Sequence, residues 1–376
     1  MTTLSSLMTF SDEQAMLLET ATSFCRDQSP ISSVRGLLSS EHGFDGALWQ
    51  QMVKLGWSGI AIPERHGGSG LSLAEAASIA EPMGRYLLAT PFVSTQLFTQ
   101  GLLASGDEAL QAVWLPKISD GLIATVALFE RDGDWELERP ESSATVNGKH
   151  ATLSGSKSLV CDAAVADLFL VSVKLADAPA LALLKASDLP VERRRREVII
   201  DETRRSFTLD LTGVSVPTDS LITGKAALAA LAAIRNCALL LASAEAAGGI
   251  AGALDVIVNY LNLRSTFGRK IGSYQSLKHT SAEILIGLER SRSHVYHAAS
   301  LIAAGEDAEI ALRMAKVETS DSFAHAGDRG VQFHGGFGFT YECDAQLFLR
   351  RAIWLQYTFG DAAHHRRRLA DILLAL

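Results

Sequence analysis

Apolar and polar residues recur along this chain with two different periods, and the change between them divides it into three parts. From Ser11 to about Lys117 the apolar spacing is helical, with Ser11 as an N-cap followed by Asp12 and Glu13, and with turns at Pro63 and Gly67-Gly68. From about Ile118 to Pro217 the chain shifts to short segments rich in β-branched and apolar residues. Ile123 to Ala127, Ala144 to Val146 ahead of Asn147-Gly148, Leu168 to Val171 and Phe207 to Leu209 read as strands of a small β domain. Helical periodicity returns from Thr223 in long runs with few prolines. This α, β, α succession predicts separate layers rather than alternating βαβ units, with domains at 1–117, 118–217 and 218–376.

Two stretches carry candidate chemistry. In Arg264-Ser265-Thr266-Phe267-Gly268 the guanidinium is a cationic fork suited to a pyrophosphate, and the phenyl ring is a flat face for an adenine. In Gln332-Phe333-His334-Gly335-Gly336-Phe337-Gly338-Phe339 the paired glycines let a backbone approach a phosphate or ribose where a Cβ would collide. A Gly-Gly pair alone is commonly a plain turn, and an Arg on a helix is commonly a solvated charge. Placed together on either side of a helical stretch, the two motifs point to a flavin-nucleotide site.

These motifs also carry a resemblance. Arg264 to His279 (RSTFGRKIGSYQSLKH), Gln332 to Arg351 (QFHGGFGFTYECDAQLFLRR) and Leu55 to Leu73 (LGWSGIAIPERHGGSGLSL) resemble, in order, three signatures of the acyl-CoA dehydrogenase family. The resemblance implies a helical N-terminal domain, a central β barrel and a C-terminal four-helix bundle. It implies FAD lying between the β domain and the bundle, with its adenosine end reaching a second subunit. Arg264 and Phe267 would then serve the nucleotide from one chain and Gln332, Gly335 and Gly336 from the other, with Gln275 in the same signature. It further implies an acyl-CoA substrate, an electron-transfer flavoprotein or similar acceptor, and either a homo-oligomer or a heterotetramer with a second family member. The family's reaction takes the α proton of the thioester while the β hydrogen leaves as hydride. That chemistry needs a carboxylate base raised in pKa by desolvation, and a polarised carbonyl.

The sequence departs from the family where the base should be. Counting on from Gln332 puts the usual Glu at Phe359, within Tyr357-Thr358-Phe359-Gly360-Asp361, and the upstream alternative of another branch falls at Ala238. Neither side chain accepts a proton. The acidic candidate with a physical rationale is Glu245, in the otherwise apolar LLLASAEAAGGIAGA. It lies two helical turns beyond Ala238, on the same face. The competing reading makes it a structural acid paired with an Arg or His across the bundle. Asp361 is the next candidate, against a reading as a helix-start carboxylate. Leu128 to Trp135 replaces the usual flavin-facing Thr-Glu-Pro stretch, and Leu159 and Cys161 stand where many members carry a Trp and a Thr. Cys161 reads as a small buried apolar residue.

This mixture resembles the bacterial branch that works as heteromeric pairs on bulky substrates such as steroid side chains. Three readings stay open. They are an FAD-dependent acyl-CoA dehydrogenase completed by a partner chain or self-sufficient, a noncatalytic or half-site subunit, and a relative with non-oxidative chemistry.

Composition narrows the remaining classes. A chain of 376 residues with 48% hydrophobic residues is long enough for two or three cores. Its formal charge of -8 argues against a nucleic-acid or anionic-membrane surface, so Arg193 to Arg196 and Arg366 to Arg368 read as solvated faces or ion-pair partners. Four scattered cysteines without a CxxC indicate no metal site and no disulfide framework, and fit a reducing cytoplasm. No secretory signal is evident at the N-terminus. The apolar run Ala226 to Val258 contains Arg235, Glu245 and Asp255, and so reads as a buried or oligomeric helix rather than a membrane span.

Overall fold

The computed structural model describes residues 12–130 and 135–374, so the expected N-cap Ser11 lies outside the described residues. The chain opens with α1 (Asp12–Gln28), α2 (Ile31–Leu37), α3 (Gly46–Lys54), α4 (Leu73–Arg85), α5 (Phe92–Ser105) and α6 (Glu108–Ser119). Strands follow: β1 (Ala124–Ala127), β2 (Ser143–Asn147), β3 (His150–Ser154), β4 (Ser156–Cys161), β5 (Leu168–Leu175), β6 (Ala178–Lys185), β7 (Arg194–Arg196), β8 (Ser206–Asp210), β9 (Val214–Pro217) and β10 (Leu221–Ile222). Then come α7 (Gly224–Leu263), the short strands β11 (Ser265–Thr266) and β12 (Arg269–Lys270), α8 (Gln275–Ala303), α9 (Glu309–His334), α10 (Ala345–Tyr357) and α11 (Ala362–Leu373). The helical, strand-rich and helical thirds therefore fall where the periodicity changes. Local chemistry sets several of the helix starts. Ser72 and Glu75 form a capping box at α4, and the carboxylates of Asp45 and Asp107 accept from backbone amides at the starts of α3 and α6.

Packing divides the chain differently from the periodicity. One compact unit gathers the chain up to Leu38, Ser72–Ala89 and Leu239 onward; the other gathers Ser39–Leu71 and Thr90–Ala238. The N-terminal helices are thus shared out, with α1, α2 and α4 joining the C-terminal helices, and α3, α5 and α6 joining the strands. Apolar spacing reveals that a helix buries a face. It does not reveal which partner covers that face.

In the β-containing unit, strands run in the order β10-β6-β5-β2-β3-β9, with β1 parallel to β5, and a second sheet has the order β4-β8-β7. Side chains from both sheets, among them Leu153, Val160, Phe169, Val171, Phe207 and Leu209, share one buried core. The expected barrel takes the form of two sheets curled around that core.

In the helical unit, the Ala- and Gly-rich half of α7 crosses α4 at backbone contact. A Cβ on Gly248 would lie 1.7 Å from the Glu81 carbonyl oxygen, and one on Gly84 would lie 1.9 Å from that of Glu245. On another side, Gly249 faces the Phe323 ring of α9 at 2.2 Å from the same construction, and Gly252 faces Phe348 of α10 at 2.5 Å. Small side chains here let α7 serve as the axis against which α4, α9 and α10 pack. By length and composition α7 could cross a membrane, yet 61% of its most apolar stretch is buried inside the protein, as in a core helix. Gly248→Ala is expected to lower the unfolding free energy by about 2–3 kcal/mol through overpacking, read as a lower urea midpoint at unchanged slope. An unchanged midpoint would contradict the backbone-contact crossing.

Candidate functional site

Both nucleotide motifs line a single groove of about 700 Å³ in the helical unit. Arg264 follows the C-terminus of α7, and Gln332, Gly335 and Gly336 sit at the C-terminus of α9, so the two helix ends deliver the motifs to one place. One chain brings Arg264, Phe267, Gln332, Gly335 and Gly336 together on this groove. The reason is the pairing of the helix ends. Tyr260 of α7 stacks on His334 of α9 with ring centroids 4.0 Å apart, forming part of the lining. His334 donates from Nδ1 to the Gly330 carbonyl at 2.7 Å, which fixes the ring in place. Gln275, the first residue of α8, is exposed beside the groove and is not among its lining residues; Ser276 and Leu277 are.

Phe267 stands at the tip of the β11–β12 hairpin. With Gly268 it forms the two-residue turn, both residues at positive φ (54° and 75°), a backbone that twists with the flanking strands but costs a non-glycine residue about 1 kcal/mol. The ring is 91% exposed. Tyr274 braces the hairpin by donating to the Thr266 carbonyl at 3.3 Å, under the Arg269 guanidinium. The Arg264 side chain makes no hydrogen bond or ion pair among the described residues. Around Gly335 and Gly336 a Cβ would meet only open space, so the backbone itself faces the groove. A free guanidinium, a free aromatic face and bare backbone suit the adenosine diphosphate half of FAD.

The acidic candidates occupy structural positions. Glu245 is buried on α7 and accepts from Arg351 of α10, whose side chain is wholly buried. The carboxylate is engaged by a guanidinium in the core, which is the structural alternative that its sequence context left open. Asp361 caps α11 by accepting from the His364 amide at 2.7 Å. Phe359 occupies the connection between α10 and α11 and is buried. Sequence reasoning missed the polar cluster behind it, in which Lys316, Arg313 and His365 are buried. Burial pushes the Lys316 ammonium down to about 7 against the pull of Asp361 and Asp321. Burial and the neighbouring Lys316, His364 and Arg313 push His365 down to about 3.

In the β-containing unit, the stretch expected beside a flavin ring is built on a bulge. The β4–β8 register shifts between Lys157 and Val160, and this turns Leu159 outward at φ 55°, 46% exposed. Glu197 holds the bulge, accepting from the Leu159 amide at 3.1 Å and from the Ser206 and Thr208 hydroxyls. Cys161 is half-buried rather than buried, and its carbonyl accepts from Thr125 at 2.7 Å. Beneath the bulge, the buried Lys157 donates to Glu130 at 2.6 Å and to Ser172 at 2.9 Å. Burial opposes ionisation of Glu130, but Lys157 and the amides of Ser142 and Glu141 outweigh it and hold the carboxyl below its usual range. This pair was also missed, although Glu130 stood in a segment the sequence had singled out.

The profile of the acyl-CoA dehydrogenase N-terminal domain matches residues 11–122 and that of the C-terminal domain residues 229–374, so the chain belongs to the acyl-CoA dehydrogenase family, whose enzymes use FAD. It is 28% identical over 346 residues to acyl-CoA dehydrogenase IpdE2 of Mycobacterium tuberculosis, covering 92% of each chain. The fold is similar to that of the Tcur3481-Tcur3483 steroid acyl-CoA dehydrogenase (TM-score 0.86, 26% identity, 97% of this chain and 98% of that one). It is also similar to the ChsE4-ChsE5 complex of Mycobacterium tuberculosis (TM-score 0.88, 23% identity, 98% and 99%).

Two expected outcomes test this geometry. Arg351→Met removes the guanidinium that engages the buried Glu245 and is expected to cost about 3–5 kcal/mol in chemical denaturation, whereas replacing both with apolar residues recovers most of the loss. Because folding lowers the His365 pKa from 6.5 to about 3, its contribution is complete above pH 6.5 and is lost as pH falls toward 3. In His365→Gln the acid-side slope of stability should flatten; an unchanged slope would show that other groups carry it.

Proposed function

We propose that this chain, loaded with FAD, serves the α,β-dehydrogenation of a bulky acyl-CoA thioester as one member of a heteromeric pair. The observation that carries the reading is the combination of an intact nucleotide groove with an apolar side chain at residue 359. Arg264 would offset the pyrophosphate charge, Phe267 would cover the adenine, and the open backbone at Gly335 and Gly336 would admit the ribose and phosphates. The bound flavin supplies a hydride acceptor for the β carbon.

The base is the part this chain does not supply at the family position, and Glu245 is committed to Arg351. A second family member carrying a carboxylate would complete the reaction. Exposed apolar side chains flanking the groove, Leu263 at 74% and Phe339 at 76%, support a covering partner. The similarity to a steroid acyl-CoA dehydrogenase supports the substrate class. An electron-transfer flavoprotein or similar carrier would take the electrons onward. Cys25, Cys161, Cys237 and Cys343 form no disulfide among the described residues, which supports a reducing cytoplasmic setting.

The test is the visible spectrum under anaerobic conditions during titration with steroid-side-chain, dicarboxylic and straight-chain acyl-CoAs, on the chain alone and with its candidate partner. Flavin bleaching only when the partner is present supports the pair, and bleaching of the chain alone overturns it in favour of a self-sufficient enzyme. Arg264→Ala is expected to weaken FAD retention by about tenfold or more, since a charge-assisted contact contributes roughly 1.5–3 kcal/mol.

A further inference from the structure

The connection between α10 and α11 is held by a set of buried polar contacts concentrated on one short turn. Phe359 and Gly360 both have left-handed φ, 56° and 111°. A Cβ at residue 360 would lie 2.7 Å from His365 Nε2 and 2.9 Å from His364 Cδ2, so the imidazoles pack directly on the turn backbone. His365, 1% exposed, contacts the Phe359 carbonyl through Nε2 at 3.1 Å and Arg313 Nη1 through Nδ1 at 3.2 Å. A carbonyl only accepts, so Nε2 carries the hydrogen; a guanidinium only donates, so Nδ1 offers its lone pair. The two contacts together select one neutral tautomer. Arg313 is itself oriented by Glu309, to which it donates from Nε at 3.1 Å and from Nη2 at 2.8 Å. On the α10 side of the turn, Lys316 donates to the Leu355 and Gln356 carbonyls at 2.6 and 3.2 Å and to Ser320 at 3.1 Å.

Polar groups are costly to bury, and a left-handed Phe persists only where its surroundings over-determine it. A connection whose only task was to join two helices would need neither. We propose that His365, oriented by Arg313, is a positioning residue that fixes the backbone at residue 359 and so aims the side chain at that position toward the reacting end of the acyl-CoA site. The aim toward the acyl-CoA rests on the proposed function. The fixing of the turn does not.

The experiment compares full-length wild-type protein with His365→Leu, which removes the donor, and His365→Gln, whose amide restores a donor near Nε2. Hydrogen exchange is followed at the amides of Thr358 and Gly360, which bond to the Trp354 and Tyr357 carbonyls, with the α7 amides from Ala242 to Gly252 as the internal reference. His365→Leu is expected to speed exchange at the turn by about tenfold or more while α7 stays protected, and His365→Gln to return it toward wild type. Unchanged turn exchange in His365→Leu, equal behaviour of the two variants, or acceleration of turn and α7 together would each overturn the proposal. Because exchange needs neither flavin nor substrate, a protein that fails to bind FAD would sink the proposed function and leave this test intact. With acyl-CoA and the assembled enzyme, slower flavin bleaching in His365→Leu, restored in His365→Gln, supports the aim toward substrate, and equal bleaching in all three overturns that part.

Discussion

The helical unit depends on the distance between the axes of α7 and its neighbours, and glycine sets that distance. Gly248 and Gly84 leave no room for a Cβ where α7 meets α4, and Gly249 and Gly252 admit the rings of Phe323 and Phe348. A helix packed this tightly has little freedom to rotate or slide. Its C-terminal end is therefore carried to a defined place beside the end of α9, where Tyr260 meets His334 and the nucleotide groove opens. The buried Glu245–Arg351 pair adds register between α7 and α10 in the same layer. Such a pair contributes little net stability against apolar replacements, but an arrangement that separated the partners would be penalised heavily.

The groove and the residue-359 turn use opposite strategies. At the groove, functional groups are left open: Phe267 extends on a hairpin, Arg264 is unpaired among the described residues, and the glycines expose backbone. At the turn, everything polar is consumed internally, from Glu309 through Arg313 and His365 to the Phe359 carbonyl. An open site awaits a ligand with its own charges. A closed one holds a shape. The proposed pairing, with nucleotide binding in this chain and proton abstraction in another, would account for that contrast.

Much of this was legible in the sequence because the informative signals are local. Long periodic stretches gave the helices, β-branched runs between turn residues gave the strands, and the Arg264 and Gly335-Gly336 motifs marked the groove. What stayed hidden depends on partners far apart in the chain. Nothing near Glu245 reveals that Arg351 will neutralise it. Nothing near Tyr260 reveals the stack with His334, and Lys316 and His365 look like ordinary surface residues of helices until α9, α10 and α11 close around them. The bulge that turns Leu159 outward depends on Glu197 and β8, and the sharing of N-terminal helices between two units depends on which apolar faces find each other.

In the proposed function, one groove built by the ends of α7 and α9 receives the adenosine end of FAD. The most direct measurement is hydrogen exchange of the protein with and without FAD, and with ADP as a mimic of that end alone. Both ligands are expected to slow exchange in Ser265–Lys270 and around Gln332–Gly336 together, and ADP is expected to compete with FAD. Protection by FAD that leaves both segments unchanged, or ADP binding without effect on them, would contradict it.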